Sequence, residues 1–178
     1  MSIKLSNEQA KTLIENFLEE HLNSISKDNF DYAFYRALRL RSVTVASPGT
    51  PAQALFECKI PRTYANQPKD APIQTIHGGA VSTFFDMVTS LAVIGHLGTF
   101  PAWRSTGASR RLEVTYLKAP VEGDNVLFDC EVIQIGKRLA ELRGLMRREG
   151  DGVLLAICNH QKYLADKPHY VSKSLNKL

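Results

Sequence analysis

Residues 76–98, IHGGAVSTFFDMVTSLAVIGHLG, decide the reading of this chain. Two glycines open the stretch and one carboxylate, Asp86, sits at its centre. From Ile73 to Ala102 there is no Lys, Arg or Glu, and the only other titratable side chains are His77 and His96. At about 100° per residue, Ser82, Thr83, Asp86, Thr89 and Ser90 fall on one stripe of a helix. Phe84, Met87, Val88, Leu91 and Ile94 spread over the remainder. A helix face turned to bulk water carries Lys, Glu or Arg. A stripe that is polar yet scarcely charged predicts a closed, partly wet cleft or a partner subunit.

The start of this helix has chemistry of its own. Gly78 and Gly79 permit close backbone approach, and the first amides of a helix lack internal acceptors. Such an end attracts an anion or a polarised carbonyl. His77 and Asp86 stand nine positions apart, about half a turn out of phase on a regular helix, so a site that used both would need two protomers. For Asp86 the residues leave two readings: a buried carboxylate satisfied by a neighbouring backbone or hydroxyl group, or a desolvated carboxylate near a helix end, placed to take a proton from water. His77 divides between a capping imidazole and a proton-transfer group.

Outward from this stretch the pattern is mixed. Ser6 followed by Gln9 has the form of a capping box, and Leu13, Ile14, Phe17, Leu18 and Leu22 recur at helical spacing. They predict an amphipathic helix that ends before Asn23-Ser24, with Glu15, Glu19 and Glu20 on its solvated face. Tyr35 to Ala46 and Gln53 to Ile60 read as strands around the turn Ser47-Pro48-Gly49-Thr50-Pro51. After Pro101 come alternating runs: Leu112, Val114, Tyr116; then Val126, Phe128, Cys130, Val132; then Leu139 to Met146 beyond the Gly136-Lys137 turn. Val153, Leu155 and Ile157 follow the turn at Glu149-Gly150-Asp151-Gly152. The order is helix, two strands, long helix, four strands. It predicts an α+β layer arrangement, an antiparallel sheet wrapping one uncharged helix. The divisions expected are a helix and linker over 1–29, a domain over 30–165 and a polar tail over 166–178.

Composition narrows the function. The 178 residues, 44% hydrophobic, suffice for one sizeable core. A net charge of +4 suits an anionic small molecule, but the basic residues are scattered rather than massed, which argues against nucleic acid. Cys58, Cys130 and Cys158 are odd in number and embedded in apolar runs, as buried thiols of a reducing compartment are. No secretory pattern opens the chain, and hydroxyls and Asp86 interrupt its longest apolar run, so neither a membrane span nor an anchor is expected. Asn176-Lys177-Leu178 nearly matches the Ser-Lys-Leu peroxisomal address, leaving cytoplasm or peroxisome as the expected compartment. The histidines and cysteines lack zinc-ligand spacing, so no metal and no cofactor are expected.

Several spaced motifs together carry a resemblance. They are His77-Gly78-Gly79 with Asp86 nine residues on, Gly107-Ala108-Ser109 leading into Val114-Thr115-Tyr116, Gly136-Lys137 in a hairpin, and the last strand, Leu154 to Tyr163. Across residues 40–165 the chain resembles the hotdog-fold acyl-CoA thioesterases, of the phenylacetate-pathway and mammalian thioesterase-superfamily-member branch. That resemblance implies a curved antiparallel sheet around one long central helix, here with an extra amino-terminal helix. It also implies a homodimer or a dimer of dimers (a homotetramer) with active sites at the dimer interface. The amide of Gly78 would polarise the thioester carbonyl, Asp86 of the other subunit would activate water or attack directly, and Ser109 would position that water, beside His77. Acyl-CoA would be held by Gly79, Tyr116, Lys118, Lys137, Arg138 and Tyr163, with Lys162 a further candidate on charge alone. One position departs from the pattern: relatives keep an Asn six residues before the histidine, and this chain has Ala71, with Gln74 and Asn66 as nearby amides. That departure motivates a second reading, a non-catalytic acyl-CoA or acyl-carrier binding protein. A hotdog dehydratase is a third, disfavoured because such sites pair a His with the acid in a different motif. Phe84, Phe85, Met87, Phe100 and Trp103 suggest an apolar pocket near the helix without giving acyl length.

Overall fold

The computed structural model describes residues 5–66, 72, 74–96, 103 and 105–164. Ala71, Phe100 and the carboxy-terminal Asn176-Lys177-Leu178 lie outside them. Three helices, α1 (Asn7–Ser24), α2 (Tyr32–Ala37) and α3 (Gly78–Ile94), accompany six strands. The strands are β1 (Leu38–Thr44), β2 (Ala52–Lys59), β3 (Ala108–Tyr116), β4 (Asn125–Ile135), β5 (Leu139–Arg148) and β6 (Leu154–Tyr163). They form one sheet in the order β1-β2-β4-β5-β6-β3, with every neighbouring pair antiparallel.

The α3 helix packs against β2, β3, β4, β5 and β6. Strands about 4.8 Å apart place five of them across a width well beyond the ~10–12 Å diameter of a helix. A flat sheet could not bring all five to one helix, so the sheet curls around α3. Val126, Phe128, Cys130 and Val132 of β4 face inward and are buried, as their alternation predicts. At the centre, Phe84 stacks on Phe34 with ring centroids 4.1 Å apart, and Phe128 stands edge-on to Phe34, Phe84 and Phe85.

A row of small residues crosses the middle of the sheet. Cys130 of β4 pairs with Gly144 of β5, which pairs with Cys158 of β6. A Cβ on Gly144 would lie 2.8 Å from Cδ1 of Phe85 and 3.2 Å from Cγ2 of Thr89. The missing side chain therefore leaves the room in which Phe85 and Thr89 of α3 seat on the sheet.

Three expectations change. The strand expected from Tyr35 starts at Leu38, because Tyr32–Ala37 turns into α2. There the Phe34 amide donates to the Tyr64 hydroxyl, which donates to the Phe30 carbonyl (3.0 and 2.6 Å), and Phe34 is drawn onto Phe84. Helix α1 runs through Asn23 to Ser24, and the expected capping box closes it at the other end: the Ser6 amide donates to Gln9 Oε1 (2.8 Å) and the Gln9 amide to Ser6 Oγ (3.2 Å). In β6 the inward set is Ala156, Cys158, His160 and Lys162, not a continuation of Val153, Leu155 and Ile157. A register shift between Met146 and Arg147 of β5, opposite Ala156 and Leu154, changes the phase. Among the described residues, no helix is long and apolar enough to cross a membrane.

Candidate active site

The hydroxyl stripe of α3 faces β3 and β6 of its own chain. Helical spacing puts Ser82, Asp86, Thr89 and Ser90 on one side, and the β3–β6 ladder puts Ser109 opposite Lys162 and Leu112 opposite His160. The surfaces meet around Asp86. Ser109 Oγ donates a short hydrogen bond to Asp86 Oδ1, and His160 Nε2 lies 3.4 Å from the same oxygen. Lys162 Nζ donates to Ser90 Oγ at 2.6 Å and to Ser109 Oγ at 3.3 Å, while Ser90 Oγ donates to the Asp86 carbonyl at 2.5 Å. Thr89 Oγ1 donates to the Phe85 carbonyl (2.6 Å) and lies 2.7 Å from His160 Nδ1.

Burial separates the members of this cluster. His160 is fully buried and Lys162 is 2% exposed, whereas the Asp86 side chain is 42% exposed. Asp86 stands in the middle of α3, not at its end, with one side on the buried cluster and the other open. Burial lowers the His160 imidazole to about 4, with the Lys162 charge adding to the effect and Asp86 opposing it. Burial likewise lowers the Lys162 ammonium to about 8, again against Asp86. Lys162 is thus a buried partner of the site serine and not a solvent-facing phosphate ligand.

The amino-terminal end of α3 forms a separate centre. His77 is its N-cap, and its Nδ1 accepts from the Gly79 amide at 2.9 Å. That bond occupies the Gly79 donor and leaves Gly78 N–H, at the first helical position, with no acceptor in the helix ladder. The Tyr116 hydroxyl donates to the Gly78 carbonyl at 2.9 Å and lies 2.6 Å from Ser82 Oγ, so Tyr116 braces the helix start. Gly78 and Asp86 are more than two turns apart on one rigid helix, about 12 Å along its axis. Within one chain, Asp86 and Ser109 come together, and His77 and Gly78 do not join them. Asn66, one candidate for the missing amide, is engaged elsewhere: its Nδ2 donates to Thr75 Oγ1 at 3.0 Å.

Ser109 also opens on the outer surface. It lines a cavity of 640 Å³ with Ala108, Arg110, Arg138, Leu139 and Tyr163. The Arg138 guanidinium lies 5.0 Å from the centre of the Tyr163 ring and donates to the Tyr163 hydroxyl. Lys118 and Lys137 are exposed at strand ends. Sequence reasoning missed Arg110, which the bulge between Ser109 and Arg111 sets apart from its strand neighbours, and the roles of Thr89 and His160. Only the shift in β6 phase brings out His160 and Lys162, and nothing in the local sequence marks it.

Comparisons with known proteins agree with this architecture. Residues 73–155 match the Thioesterase superfamily. The chain is 26% identical over 133 residues to acyl-coenzyme A thioesterase 13 of Homo sapiens, covering 75% of this chain and 86% of that protein. The crystal structure of thioesterase superfamily member 2 from Mus musculus superposes with a TM-score of 0.63 at 18% identity, over 92% of this chain and all of that one. A Streptococcus mutans protein solved with acetyl-CoA bound superposes at 0.58 and 16% identity, over 83% of this chain and 98% of that one. The chain therefore has the hotdog fold of these solved structures, and its residues 73–155 are similar to the Thioesterase superfamily.

Proposed function

We propose that this protein is an acyl-CoA thioesterase that hydrolyses its substrate by water attack at a site shared between two copies of the chain. The observation that carries the reading is Asp86, held by Ser109 at the edge of a cavity that also presents Arg110 and Arg138. The relatives named as acyl-coenzyme A thioesterases and the fold neighbour solved with acetyl-CoA support it.

The chemistry follows from the two separate centres. Gly78 N–H of one copy polarises the thioester carbonyl oxygen, while Asp86 of the other takes a proton from water. The water oxygen bonds to the carbonyl carbon, the C–S bond breaks, and the sulfur leaves with the electron pair as CoA thiolate, which then takes up a proton. Ser109 fixes the carboxylate from one side. Arg110 and Arg138, which line the cavity with Tyr163, are donors for the phosphates of CoA, and the exposed Lys118 and Lys137 add positive charge; charge-assisted hydrogen bonds to phosphate are the strong ones. His77 contributes by holding the Gly79 amide, which leaves Gly78 to the substrate.

A thiol-release assay across short, medium, long and aromatic acyl-CoAs tests activity and substrate class together. Asp86→Asn should lower the rate by about 10²–10⁴ with CoA binding kept, and undiminished turnover by that variant rejects the mechanism. Saturable CoA binding with no thiol release from any substrate would identify the non-catalytic binder instead. The compartment we propose is cytoplasm or peroxisome, to be read from a fluorescent fusion with and without Asn176-Lys177-Leu178.

A further inference from the structure

The hydroxyl protons around Asp86 can be assigned one by one, because every donor has few places to send them. Thr89 gives its single proton to the Phe85 carbonyl, so at the 2.7 Å contact with His160 it can only accept. His160 therefore carries its proton on Nδ1, and Nε2 presents a lone pair. That atom is buried, has no hydrogen-bond partner among the described residues, and lies 3.4 Å from Asp86 Oδ1. A lone pair facing a carboxylate oxygen is unfavourable, and an imidazolium in its place would close the pair as a salt bridge.

Lys162 stands on the other side. Its ammonium has only donors and points at two hydroxyls, Ser90 and Ser109. Each must accept from it and send its own proton elsewhere, Ser90 to the Asp86 carbonyl and Ser109 to the Asp86 carboxylate. The groups that face Asp86 are therefore Ser109 on β3, His160 and Lys162 on β6, and Ser90 on its own helix. Tyr35 of α2 and Cys158 of β6 feel its charge from further off.

We infer that Lys162 is a positioning residue of the hydrolytic site: its buried ammonium turns the Ser109 proton toward Asp86 and adds its charge to the burial that disfavours an imidazolium at His160, so that Asp86 stays available to water. This rests on the hydrolytic reading above. Without the cation, Ser109 is free to turn away, and burial alone is left to keep the His160 imidazole from pairing with the carboxylate. The burial that lowers the Lys162 ammonium to about 8 adds a signature, since a neutral amine can accept the Ser109 proton and undo the arrangement.

The test uses the full chain with Lys162→Met, which keeps the apolar stem, and Lys162→Gln, neutral but polar, as a second variant in case one fails to fold. Thiol release is followed with whichever of acetyl-, hexanoyl-, palmitoyl- or phenylacetyl-CoA the unmodified protein turns over fastest. The expected result is a fall in kcat of about tenfold or more at pH 7 with KM little changed. The unmodified protein should lose activity above about pH 8, and that alkaline limb should vanish in both variants. The His160 imidazole, followed by NMR, should titrate at higher pH once the Lys162 charge is gone. A folded variant with normal kcat and the same alkaline limb overturns the inference. If Asp86→Asn is inactive while Lys162→Met matches the unmodified protein, the hydrolytic reading stands and this inference fails. If no form of the protein releases thiol, the hydrolytic reading fails, and the His160 titration decides alone: no movement in Lys162→Met overturns the role assigned to Lys162.

Discussion

Replacing Lys162 with Met should stabilise the protein at neutral pH, and the gain should fade in alkali. Lys162 is 2% exposed, and burial lowers its ammonium from 10.5 to about 8. Between those values the folded chain holds fewer protons at this position than the unfolded chain, so stability rises with pH through the window. Below pH 8 the full cost of charging the buried amine is present. Two and a half pH units at ~1.4 kcal/mol each come to about 3.5 kcal/mol, of which roughly 2.5 kcal/mol falls between pH 7 and pH 10. Met has no proton to lose, and its unbranched chain fills the space of the lysine stem. The quantity to measure is the difference between the two proteins, because Cys58 and Cys158 act in the opposite sense in both. Burial raises their thiols from 9.0 to about 12, so their contribution is present below pH 9 and is lost above it. Urea unfolding under reducing conditions, at steps from pH 7 to pH 10 and constant ionic strength, gives that difference directly. A difference that stays flat within about 0.5 kcal/mol over this range would falsify the assignment of a buried, charged amine. The expected slope means that the site holds its cation at the expense of stability.

Four further outcomes follow from the same structure. His160→Asn should reduce the loss of stability on acidification from pH 6.5 to pH 4, because the buried imidazole, lowered to about 4, is neutral in the fold where the unfolded chain binds a proton; an unchanged acid unfolding curve refutes it. Gly144→Ala places a Cβ 2.8 Å from Phe85 and should cost about 1–3 kcal/mol by denaturant unfolding, with kcat falling as well, since Phe85 adjoins Asp86. Arg138→Ala should raise KM for the preferred acyl-CoA by roughly tenfold with little change in kcat or melting temperature, because Arg138 lines the cavity beside Tyr163. Ser6→Ala should lower stability by about 1 kcal/mol through loss of the α1 cap and leave thiol release unchanged.

The legible parts of the chain were those in which local pattern and global fold agree. Ser6 and Gln9 announce the start of α1, the Asp86 stretch announces α3, and the alternation of Val126, Phe128, Cys130 and Val132 announces β4 with its inward face. The motif resemblance implied that Asp86 activates water and that Ser109 positions it, and in the structure the Ser109 hydroxyl donates to the Asp86 carboxylate. Elsewhere a tertiary contact overrode local preference. Tyr35 has strand propensity, but Tyr64 bridges Phe30 and Phe34 into a helical turn. In β6, Val153, Leu155 and Ile157 suggest one phase, and a register shift against β5 imposes another. That single shift is why Lys162, read from its charge as an outer ligand for CoA, lies inside beside Ser109. Residue type alone could not have revealed it, because a lysine near a strand end is ordinarily solvated.

The bare position at Gly144, between Cys130 and Cys158, acts as an index mark for the whole site. Phe85 and Thr89 fit over it, and the residue between Phe85 and Met87 is Asp86. A slip of α3 by one turn, about 5.4 Å, would carry the carboxylate beyond the reach of Ser109 and His160 while leaving every polar residue present. The axial setting of Asp86 is thus fixed by shape at the centre of the sheet, by a row of small residues. Substitutions along that row should scatter Asp86 over several settings, so that activity is lost as a smaller fraction of correctly aligned molecules rather than as a slower reaction in each.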